Sequence, residues 1–161
     1  MNAEPTRTQA LERIDSALGK LLRNFNLLEL NLGLCIRHLQ HPGEVEKGHP
    51  FLARSSILEK VARFSKLVQE RGLAIETEAL EAWCRSVDET PSLRNFYVHG
   101  TWEYLPLRKD SPLSFRLPPW RTESLKGITY PKMTLEDLEE DANSVEAILD
   151  EFLRLRENYG V

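Results

Sequence analysis

Two cysteines among 161 residues, Cys35 and Cys84, are too few for a disulfide framework, and neither has a metal-ligand spacing around it. Both fall inside helical patterns, so a reduced, cytoplasmic chain is expected. No apolar run approaches the roughly 18 to 20 residues that a bilayer-crossing helix needs, which excludes membrane partnership through such a span. The opening MNAEPTRT has no apolar stretch behind a basic cluster, so no signal peptide is expected. Also missing are a Gly-rich phosphate loop, a serine elbow and any paired-carboxylate motif distinguishable from helix charge patterning. His38 and His41 are three apart at a helix end with His49 beyond. No carboxylate or cysteine spacing supports them as ligands, so neither a metal nor a cofactor is expected. Positive charge is not in excess either: the net charge is −4, which argues against a general nucleic-acid binder. Its distribution is uneven. Residues 85 to 132 carry eight basic and five acidic side chains, whereas 133 to 161 carry two and nine.

What is present is helical periodicity. From Thr8, Leu11, Leu18, Phe25, Leu32 and Leu39 form one seven-residue column, and Ile14, Leu21, Leu28 and Cys35 form another. This spacing predicts one amphipathic helix roughly 45 Å long at 1.5 Å per residue. Within it, LLELNLGLCI (27 to 36) is apolar nearly all round, so either the bundle or a second copy of the chain covers the extra leucines. Glu29, an exception in that run, calls for a cationic partner. Residues 41 to 50, with two prolines and two glycines, read as a loop. Ser55 or Ser56 then caps a second helix, with Glu59 completing a capping box. Its inward face is Ile57, Val61, Phe64 and Val68, and Gly72 ends it. Thr77 opens a third helix with Leu80, Trp83, Cys84 and Val87 inward. Thr90 and Pro91 start a new helical piece that runs to Gly100.

After Gly100 come short-spaced aromatic and apolar residues among four prolines. Thr101 to Leu107 and Leu113 to Leu117 read as strands joined at Arg108 to Pro112, with a short extended piece at Gly127 to Tyr130. Thr134 and Asp137 cap a last long helix that buries Leu138, Ala142, Val145, Leu149, Phe152 and Tyr159. The expected fold is all-α. It is one domain over residues 1 to 161, a bundle of about four helices with long first and last members and a hairpin inserted at about 101 to 131.

Functional side chains are densest in LRNFYVHGTWEY, residues 93 to 104. Asn95 and His99 are four apart and share a helix face, where the amide can fix the imidazole tautomer. Arg94 offers a bidentate fork to phosphate, and a histidine exchanges protons near neutral pH. Taken singly, these residues have plainer roles. Arg94 and Asn95 can tie helices together, for example through Glu29, and His99 can bond the last carbonyls before a Gly100 cap. Trp120, beside Arg116 and Arg121, is a candidate base-stacking platform, with Tyr104 nearby.

Arg94, Asn95 and, four residues on, His99 resemble the signature of the HEPN superfamily (higher eukaryotes and prokaryotes nucleotide-binding domain). The long first and last helices agree with that outline. The resemblance implies a metal-independent endoribonuclease, a toxin or phage-defence effector whose site is shared by two protomers of a homodimer. Arg94, His99 and Asn95 would be catalytic, Arg116, Arg121, Trp120 and Tyr104 would contact substrate, and a cognate antitoxin or other partner protein is implied. In one toxin branch a tyrosine stands two residues after the histidine; here that residue is Thr101. The alternative is a non-catalytic module that binds nucleotide, RNA or protein through the same groove.

Overall fold

A computed structural model describes residues 6 to 44, 46 to 104, 113 to 118 and 133 to 159. Among these residues six helices and one antiparallel two-stranded sheet follow in order: α1 (Arg7–Gln40), α2 (His49–Arg54), α3 (Ile57–Glu70), α4 (Thr77–Asp88), α5 (Thr90–His99), β1 (Thr101–Tyr104), β2 (Leu113–Arg116) and α6 (Leu135–Tyr159). The fold is the expected helical one, with long outer helices and a small sheet before the last. No described helix is long and apolar enough to cross a membrane. The chain forms two compact units, residues 1 to 22 with 92 to 144 and residues 23 to 91 with 145 to 161.

In the first unit the start of α1 faces the start of α6. Ala10, Ile14, Ala17 and Leu21 are buried from one helix, and Leu135, Leu138 and Ala142 from the other. Arg13 clamps Glu139 with two parallel hydrogen bonds of 2.9 and 2.7 Å, and Lys20 donates to Asn143 at 2.8 Å. Thr134 and Asp137 form the expected reciprocal cap: each backbone N–H is taken by the other's side chain. The expected Leu11 and Leu18 positions are half-buried, and Ala10 and Ala17 lie inward instead.

The second unit is built on an aromatic centre. Trp83 of α4 stacks on Phe152 of α6 with centroids 5.1 Å apart, and Phe64 of α3 meets both edge-on. The Trp83 indole N–H donates to the Ile148 carbonyl at 3.2 Å. Ser56 and Glu59 form the expected capping box of α3. The helix ends where Gly72 adopts φ +59°, with Gly72 N–H on Gln69 and Leu73 N–H on Val68, so the left-handed residue closes the last carbonyls. The expected loop at 41 to 50 is shorter than predicted. A six-residue α2 begins at His49, with Pro50 in its first turn where a proline costs the helix nothing. Leu28, Leu32 and Ile36 are covered, whereas Leu27, Leu30 and Leu34 stay exposed.

Candidate functional site

Thr90, whose hydroxyl donates to the Val87 carbonyl at 2.8 Å, and Pro91 restart the helix after α4, so the motif falls on regular α-helix. Arg94 is half-buried, Asn95 is exposed, and His99 is exposed as the last residue of α5. The Arg94 Nη1 donates to Asn95 Oδ1 at 3.0 Å, so the amide braces the guanidinium rather than the imidazole. Among the described residues His99 makes no side-chain hydrogen bond. Five residues of helix separate Arg94 and His99 by about 140° around the axis.

Tyr97 lies between them on the inward side. It is buried, and its hydroxyl donates to Asp141 Oδ2 of α6 at 2.6 Å. Burial pushes the phenol upward, and the bond to Asp141 adds to that, so it stays a donor. Burial also raises the Asp141 carboxyl; the Tyr97 bond pulls it part of the way back, and Asp137 and Glu140 push it up. Nothing in the sequence signals this anchor, because Asp141 looks there like one more carboxylate of a solvated face.

The anchor carries a pH prediction. A carboxyl raised in the folded state contributes stability that is full below the ordinary aspartate value near pH 3.9 and is lost as pH rises through the higher folded value. Asp141→Asn keeps an acceptor for Tyr97 and removes the charge. The melting temperature of the variant relative to wild type should therefore rise from pH 3 to pH 7; a constant difference would count against the desolvated carboxylate.

The plainer reading of His99 makes Gly100 a C-terminal helix cap. It is not among the positive-φ glycines; the space over it is filled by Phe115 of β2, whose ring a Cβ at Gly100 would overlap. Phe115 is wedged among Phe96, Tyr97 and Trp102 at centroid distances of 4.7, 5.7 and 5.1 Å. Because those rings leave Phe115 little freedom, Gly100→Ala should cost about 1–3 kcal/mol, as overpacking of a filled core does. Urea unfolding checks this; a neutral result would mean that the ribbon slides freely on α5.

The ribbon decides which further candidates stand near His99. Arg116 pairs in register with Thr101, at the end where β1 leaves α5, and its guanidinium meets Glu103 across the ribbon at 3.3 Å. This ion pair is exposed, so it holds Arg116 only weakly. Tyr104 pairs with Leu113 at the opposite end of the ribbon, three residues or about 10 Å away. Trp120 and Arg121 lie outside the described residues, as do the expected turn at 108 to 112 and the piece at 127 to 130.

Neither cysteine offers a thiolate. Burial pushes the Cys35 thiol up to about 11, against a downward pull from Arg156, and burial likewise raises Cys84. Among the described residues no three His, Cys, Asp or Glu side chains are grouped to hold a metal ion. The cation that Glu29 takes is Lys60, at 2.6 Å within the second unit. No family model matches the chain, and no curated protein or solved structure does.

Proposed function

We propose that the chain is a HEPN-like, metal-independent endoribonuclease, a toxin or phage-defence effector, with its site shared between two copies. One observation carries this reading. A braced, half-buried guanidinium and an exposed histidine sit on one regular helix, with the weakly held Arg116 at the adjoining end of the ribbon. Arginine suits the charge that grows on a phosphorane, and histidine suits proton transfer near neutral pH.

In this reading the ribose 2′-hydroxyl attacks the adjacent phosphorus while a histidine takes its proton. The P–O5′ bond breaks and the leaving 5′-oxygen receives a proton, giving a 2′,3′-cyclic phosphate and a 5′-hydroxyl. Arg94 neutralises the non-bridging oxygens and Asn95 holds Arg94. The motif offers one imidazole per copy, and Arg94 points about 140° from it around the helix. A second copy brings its arginine to the phosphate that the first copy's histidine serves, and the leaving 5′-oxygen takes its proton from water.

The test is cleavage of a transfer RNA mixture by the purified chain in excess EDTA, with Arg94→Ala and His99→Ala alongside. Cutting by wild type alone, with cyclic phosphate ends, supports the mechanism; no cutting, or equal cutting by all three, overturns it. A binding module is the second reading. It is favoured by the lack, among the described residues, of any group that fixes the His99 tautomer.

A further inference from the structure

A concave feature lies wholly in the unit of residues 23 to 91 with 145 to 161, and its chemistry owes nothing to α5. It is a groove of about 360 Å³ along α1, walled by α2 and α3. That volume is in the range of small-molecule sites. Leu30, Gly33 and Leu34 of α1 and Leu52 of α2 form its apolar lining. Leu30 is 56% exposed and Leu34 39%, so much of this lining faces water.

The two ends of the groove are polar and unlike each other. At one end Lys60, only 6% exposed, donates to Glu29 Oε1 at 2.6 Å. An ammonium has three N–H donors, and among the described residues Glu29 is the one side chain it bonds, so two donors remain for oxygens from outside. Because Glu29 already balances its charge, this end suits a neutral oxygen rather than an anion. At the other end stand Arg37 and His49. Arg37 has no ion-pair partner among the described residues, and its stem lies against Gly48, where an added Cβ would come 3.3 Å from Arg37 Cγ. An unbalanced guanidinium at the mouth of an apolar groove, in a chain of net charge −4, selects a carboxylate.

The spacing sets the length of the ligand. Glu29 and Arg37 are eight residues apart on α1, about 12 Å along its axis. Gly33 lies midway. A Cβ there would meet only Leu52 atoms, at 3.7 and 3.9 Å, which is ordinary contact, so the chain's own packing does not require glycine in this helix. Its missing side chain deepens the groove at the centre.

We propose that this groove binds an elongated amphiphilic carboxylate. The carboxylate lies on Arg37 and His49, the apolar body runs over Gly33 between Leu30, Leu34 and Leu52, and an uncharged hydroxyl or carbonyl oxygen accepts from Lys60. The probe is ω-hydroxydecanoate, titrated below its micelle concentration into the full chain by isothermal calorimetry, with decanediol as the uncharged comparator. Saturable one-to-one binding is expected, with decanediol weaker by about tenfold or more. Arg37→Ala should abolish the preference for the acid. Gly33→Leu, which leaves every charge in place and favours the helix, should abolish binding of both probes; circular dichroism confirms that each variant is folded. Equal binding of acid and diol, binding that does not saturate, or binding that neither variant changes would overturn the proposal. A dimer that Leu30→Glu splits, with no acid bound by wild type, would overturn it too, and would give the groove to a second copy of the chain.

Discussion

Replacing Trp83 by alanine is expected to cost about 3–5 kcal/mol, the range for removing a fully buried large aromatic. Trp83 is 0% exposed and joins three helices at once: it lies on α4, stacks on Phe152 of α6 and receives the edge of Phe64 from α3. Deleting it leaves a cavity among rigid rings that cannot collapse without moving α3 or α6, and it removes the indole donor from the Ile148 carbonyl. The loss is a large share of the roughly 5–15 kcal/mol that stabilises a domain of ordinary size. Trp83→Phe separates the contributions, because it keeps a stacked ring and gives up only the outer ring and the N–H. Urea unfolding followed by circular dichroism should place the phenylalanine variant between wild type and alanine. An alanine variant that loses less than about 1 kcal/mol would mean that the aromatic centre does not hold these helices together.

Most of this packing is legible in the periodicity of the chain, and the places where it is not have physical causes. In α1 the strict seven-residue column through Phe25 extends back to Leu18 and Leu11, but in a straight helix seven residues fall about 20° short of two full turns. Two heptads from Phe25 that drift reaches about 40°, enough to carry Leu11 to the edge of the buried face and bring Ala10 under it. Leu27, Leu30 and Leu34 belong to neither column and stand about 100° to 160° around the helix from Leu28, where the structure leaves them exposed. Composition alone cannot tell a leucine facing a neighbour from one facing a groove. In the sequence Pro50 marks a loop as readily as a helix start, because proline is equally at home in a first helical turn, which is where α2 uses it.

The candidate site was legible as a cluster of residue types but not as a set of contacts. Helical spacing offered Asn95 to His99, yet the amide accepts from Arg94, because a long arginine side chain reaches the next residue along the surface. Gly100 looks in the sequence like a helix cap, but the space over it is taken by the Phe115 ring, a partner fifteen positions later that periodicity cannot connect to it. Glu29 announced its need for a cation. That Lys60 supplies it depends on how α3 is placed against α1, and nothing local to either segment encodes that.

Under the shared-site reading, His99→Ala should lower RNA cleavage by about 10²- to 10⁴-fold, the usual worth of a general acid or base. Arg94→Ala should lower it by about 10²- to 10³-fold, as the loss of one preorganised donor to an oxyanion does. Arg94→Lys should rescue little, since an ammonium cannot reproduce the fork that spans two phosphate oxygens. Asn95→Ala should fall between these variants and wild type, because it frees Arg94 without removing it. The decisive version mixes two inactive proteins. If each site takes its arginine from one copy and its histidine from the other, a dimer of Arg94→Ala with His99→Ala holds one intact site and one doubly broken one. Random exchange makes half the dimers mixed, so about one quarter of wild-type activity should return, on the symmetry of an isologous pair. If Arg94 and His99 of the same chain serve one phosphate, every site in the mixture carries a lesion and nothing returns. Recovery near one quarter thus separates a site built across two copies from a site complete in one, while active wild type with an inert mixture would keep the ribonuclease and discard the sharing.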